Sequence, residues 1–178
     1  MQYRRLVLTF AGILAFLSAP LVSAHGDEST SGPTNFQILL ISIVISASIY
    51  FLVTRYLSSQ KYLSSPLVFT LASFTASVHI LLGLNDYLLL VGGIGVIAIM
   101  GSSLVVNFSQ WQDKMARLGL GLTVIVMFAA YFVSNHDIHY IAEDYLGITT
   151  KLAELSILVL LKKEWSQETG NNEQTMEE

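Results

Sequence analysis

Residues 87–106 read YLLLVGGIGVIAIMGSSLVV, twenty residues without a charge. At 1.5 Å per residue a helix of that length covers about 30 Å, the thickness of a bilayer's hydrocarbon core. Lipid supplies no water to unpaired backbone groups, so a lone span of this kind must be helical. Its run of Leu, Ile and Val also lacks the alternation of a barrel strand. Four more apolar segments accompany it, at about residues 36–53, 66–84, 118–133 and 146–161. The fold expected is all-α, a polytopic membrane helix bundle of five spans after a cleavable signal peptide.

Composition agrees. Of the 178 residues 53% are hydrophobic and 12% charged, about half the charged share of a soluble domain. Cysteine is absent, which excludes disulfides, thiolate metal sites and Cys nucleophiles, so any metal must be held by N and O ligands. A pI near 5.5 and the lack of a basic patch argue against nucleic acid as a partner. There is no phosphate-binding glycine loop and no Ser-His-Asp order, and with no nucleophile–base set visible an enzymatic activity of its own is the least favoured reading.

Residues 1–24 read as a secretory signal, with Arg4 and Arg5 ahead of an apolar stretch and Val22-Ser23-Ala24 as the cleavage site. Pro20 breaks the segment before it is long enough to span. An extracytoplasmic arm, residues 25–35, would follow, then the five-helix domain, residues 36–163, and a disordered acidic cytoplasmic tail, residues 164–178.

Orientation follows from Lys and Arg. Arg55 and Lys61 follow the first segment, Lys114 and Arg117 the third, and Lys162 and Lys163 the fifth, so all six share one side, which is cytoplasmic by the positive-inside rule. A cleaved signal independently puts His25 outside. The mature N-terminus is then extracytoplasmic and the C-terminus cytoplasmic, in the cell membrane. Small residues at Gly95, Ala98 and Ser102 and at Ser42 and Ser46 make helix faces suited to close packing, within the bundle or against another subunit.

This topology gathers His25, His79, His136 and His139 on the outer side with Asp27, Glu28, Asp86, Asp137, Glu143 and Asp144. Imidazole with carboxylate is a common ligand set for transition metals. His136, His139 and Glu143 share one helical face by their i, i+3, i+7 spacing, and Asp137 lies beside it. His79 sits inside the second segment, where an ionisable side chain is costly and faces the bundle. Asp86 follows it by seven residues. At a processed terminus His25 could chelate copper through its amino group and imidazole. The metal ligands expected are therefore His79, Asp86, His136, Asp137, His139, Glu143 and His25, and the cofactor a divalent transition metal (copper, nickel, cobalt, iron or zinc). Lys151 and Glu154, one turn apart in the fifth segment, form either a mutually neutralising pair or an ion relay.

The stretch from His79 through Gly83 and Leu84 to Asp86 resembles the H-P-x-x-G-L-D-H helix of the HupE/UreJ nickel and cobalt permeases. Ile80 stands where that family has Pro, Asn85 is inserted before Asp86, and Tyr87 replaces the second His. The resemblance implies metal handling and spans eight residues. Two functions are expected from the sequence: binding or permeation of a divalent metal at an outer-leaflet site, or a non-catalytic subunit of a larger membrane complex such as a metal-dependent monooxygenase or respiratory assembly. The partners expected are the lipid bilayer, with other membrane subunits or a homo-oligomer. The topology has a direct test. Cysteines placed at Ser59 and Gln110 should resist an impermeant thiol reagent in intact cells, whereas one at Asn135 should be labelled; labelling at Ser59 would overturn the orientation.

Overall fold

Each helix begins or ends where the local chemistry dictates. The computed structural model describes residues 32–56, 64–84, 86–106, 108–134 and 144–174. Among them are five helices and no strand: α1 (Asn35–Tyr56), α2 (Pro66–Leu82), α3 (Tyr87–Val105), α4 (Gln110–Ser134) and α5 (Tyr145–Gln174). Pro66 occupies the first turn of α2, where its missing N–H costs nothing, and the Gly83 N–H closes the helix on His79 O at 2.7 Å. Asp86 caps α3, its Oδ1 accepting the Leu88 N–H at 2.9 Å. Ser109 and Gln112 form a reciprocal capping box, which starts α4 eight residues ahead of the apolar run at Leu118. Asp144 caps α5 by accepting the Gly147 N–H at 2.9 Å.

α2 packs against α1, α3 and α5; α3 and α5 each also pack on α4. Helices α2, α3, α4 and α5 thus close a ring, and α1 lies outside it against α2. Ile38 near the start of α1 meets Phe74 and Val78 of α2 and Leu146 and Ala153 of α5 in one buried cluster. At the opposite end Glu164 of α5 accepts the Ser65 N–H at 2.9 Å. The bundle therefore has a histidine end, where α2 and α4 finish and α3 and α5 begin. It also has a basic end carrying Arg55, Lys114, Arg117, Lys162 and Lys163.

Polarity runs opposite to that of a soluble domain. Phe51 (71% exposed), Leu122 (64%) and Val159 (60%) face outward, while Glu154 (0%) and Lys151 (7%) lie inside. Outward hydroxyls turn back on their own helices: Ser48, Thr54, Thr149 and Ser156 each donate to the carbonyl four residues earlier. Two helices, over Asn35–Arg55 and Gln110–Val133, are long and apolar enough to cross a membrane, and few of their residues are buried. α2 stops at 17 residues between Pro66 and Gly83, and α5 is interrupted by Lys151 and Glu154. The all-α expectation holds among the described residues; of the five helices expected to span, two are long and apolar enough to do so.

α5 runs on to Gln174, into the segment expected as a tail. Glu164 ties the start of that segment to the Ser65 backbone ahead of α2. The signal segment, residues 1–24, lies outside the described residues.

Gly93 lets α3 pack closely on α2. A Cβ there would stand 2.8 Å from both Ala76 O and Ile80 Cγ1, whereas one at Gly101 would meet nothing within 4 Å. Gly93→Ala should therefore lower stability by about 1–3 kcal/mol through overpacking. Gly101→Ala should leave it unchanged or slightly raised, both read from unfolding midpoints in one detergent.

Candidate functional site

The ring interior holds the ionisable groups that sequence reasoning had assigned to separate places. Thr75 and His79 are one turn apart on the buried face of α2. Lys151 and Glu154 stand likewise on α5, facing them. Thr75 Oγ1 donates to Glu154 Oε1 at 3.1 Å, and His79 Nε2 lies 3.6 Å from the same oxygen. Lys151 Nζ donates to Glu154 Oε2 at 2.7 Å and to the Met127 carbonyl of α4 at 3.0 Å. The carboxylate therefore joins α2 to α5, and Lys151 links both to α4.

The protonation of His79 follows from its neighbours. Its Nδ1 lies 2.8 Å from Thr75 O, an acceptor only, so Nδ1 carries a proton and donates it there. In the neutral imidazole Nε2 is then a lone pair. It faces a carboxylate oxygen, also a lone pair, at a separation beyond hydrogen-bond range. Two acceptors look at each other with room between them for one proton.

The polar string continues toward the histidine end. Lys151 Nζ sits 5.2 Å from the centre of the Tyr131 ring and 6.0 Å from that of Phe128, both on α4, within cation–π reach. The Tyr131 hydroxyl donates to Asp144 Oδ2 at 3.0 Å, so Asp144 both caps α5 and ties it to α4. Gly147 is required at this crossing. A Cβ there would stand 2.6 Å from the Tyr131 hydroxyl and would also collide with Asp144 Oδ2.

Of the residues expected to bind metal, His79 turns to Glu154, and Asp86 is an exposed cap of α3 with one carboxylate oxygen engaged. His25, His136, Asp137, His139 and Glu143 lie outside the described residues. His79 and Glu154 amount to two ligands, and the Lys151 ammonium on the same carboxylate opposes a divalent cation. Among the described residues no group of three His, Cys, Asp or Glu side chains could hold a metal ion. Thr75, Tyr131 and Asp144 were not singled out as partners of the Lys–Glu pair. The i, i+4 spacing of Thr75 and His79 was a visible signal, whereas the Tyr131 contact depends on how α4 meets α5. Comparison with protein families, with curated proteins and with solved structures finds no match to this chain.

Removing one partner of a buried ion pair leaves the other charge uncompensated, at a cost of about 3–5 kcal/mol, whereas an apolar replacement of both is far milder. Glu154→Ala should thus be severely destabilised, and the double change Lys151→Met with Glu154→Leu clearly less so. Denaturant unfolding of the three proteins in detergent checks the order.

Proposed function

We propose that this chain is an integral membrane helix bundle whose buried Glu154–Lys151–His79 cluster takes up and releases protons. The observation that carries the reading is the facing of His79 Nε2 and Glu154 Oε1 across 3.6 Å, two acceptors with Nδ1 already committed to Thr75 O. A proton arriving there forms an N–H or O–H bond and bridges the two atoms. No other bond changes. The cluster moves from neutral (Lys⁺, Glu⁻, His⁰) to a single positive charge, and loss of the proton reverses the step. The Lys151 ammonium keeps the unprotonated form neutral, which is what makes a carboxylate tolerable inside an apolar bundle. This reading gives His79 a partner other than a metal.

Support for the membrane setting is the inverted polarity. The outward apolar side chains fit lipid chains, and the hydroxyls bonded to their own backbone need no solvent. The same faces suit a neighbouring membrane subunit or a second copy of the chain. With the basic end cytoplasmic, the histidine end faces outward. A role as proton-handling subunit of a larger membrane complex accommodates both features.

Infrared difference spectra of the full chain in lipid nanodiscs, recorded between about pH 4 and about pH 9 around the range where carboxyl and imidazole titrate, test this. Acidification should bring up a protonated-carboxyl band that vanishes in Glu154→Gln, or imidazolium ring bands that vanish in His79→Ala. Bands that survive both substitutions, or none of either kind, would reduce the cluster to a structural tie between α2, α4 and α5.

A further inference from the structure

The two ends of the bundle are not equivalent as seen from Glu154. Toward the basic end, the next residues on the cluster's own helix faces are apolar. On α2, Ala72 and Val68 lie three and seven residues before Thr75. On α4, Val124 and Leu120 lie three and seven before Met127, and on α5 Ile157 lies three after Glu154. All five have no exposed surface, and Val96 of α3 joins them at 0%. Two helical turns of such packing make an apolar layer about 10 Å thick, and none of these six side chains offers a polar group to lead a proton or water through it.

Toward the histidine end, polar groups continue. Lys151 lies under the Tyr131 ring, Tyr131 donates to Asp144, and Asp144 is half-exposed at the start of α5. We infer that the cluster opens to solvent at the histidine end only: Tyr131 and Asp144 line the way in, and the layer of Val68, Ala72, Val96, Leu120, Val124 and Ile157 seals the other end. The ligand this route admits is water and the proton it carries. Gly147, which leaves room for the Tyr131–Asp144 pair, keeps the mouth in shape.

The inference rests on the proton-exchange reading for what travels, but its test reads water access alone, so the two can fail separately. The chain has no native cysteine, so single cysteines report cleanly. Thr150→Cys places a thiol one turn from Glu154 on the histidine side, and Val124→Cys places one in the seal. Both replace a side chain of similar size. In proteoliposomes of the full chain, a small charged thiosulfonate added from the histidine end should modify Thr150→Cys. It should leave Val124→Cys unmodified from either side, at a rate at least tenfold lower. If Val124→Cys does not assemble, Ile157→Cys, in the same seal on α5, asks the same question. Modification of a seal cysteine from the basic end would mean a through-going pore and overturn the inference. Silence of Thr150→Cys from the histidine end would mean a cluster closed on both sides, and overturns it equally.

Discussion

A carboxylate with no exposed surface governs this bundle. Glu154 can remain there only because donors reach it from α2 and from its own helix: the Thr75 hydroxyl and the Lys151 ammonium, which also donates to a carbonyl of α4. Apolar packing alone permits helices to slide and rotate with small penalties, since one methyl resembles another. Hydrogen bonds to a single buried carboxylate do not. They fix the axial position of α2 against α5 and bring α4 within reach of Lys151. Tyr131 and Asp144 repeat the arrangement one layer nearer the histidine end, and Glu164 with the Ser65 backbone does so at the basic end.

Dependence on one group also explains the choice of side chains around it. Lys151 reaches both Glu154 and the Met127 carbonyl with its ammonium, and the Phe128 and Tyr131 rings of α4 lie within cation–π range of it. Thr75 contributes a hydroxyl that is small enough to stand between helices. His79 is held by the carbonyl of its own preceding turn, so its ring orientation is a property of α2 itself.

Much of the fold was legible in the sequence. Apolar segments located all five helices, because a run of apolar residues of that length must pair its backbone groups within itself. Two limits were not legible. The start of α4 depends on the Ser109–Gln112 capping box, which extends a helix beyond its apolar part, and the length of α5 depends on a long-range contact between Glu164 and Ser65. Of the candidate site, the Lys151–Glu154 pair could be read from its i, i+3 spacing. The partner of His79 could not, since Glu154 is seventy-five residues away and nothing in either segment names the other. Sequence distance favoured Asp86, but the Gly83 turn ends α2 before that residue can share its face.

The ammonium of Lys151 is a counter-ion that cannot leave. An isolated buried carboxylate would draw its compensating charge from solution and would respond to whatever cations the surroundings supply. Here the compensating charge is covalently tethered and shielded by protein, at distances well inside a Debye length of about 8 Å. The electrostatic balance of the interior is therefore set by the chain and insensitive to ionic strength, so the bundle can sit between compartments of very different salt content without changing its internal charge.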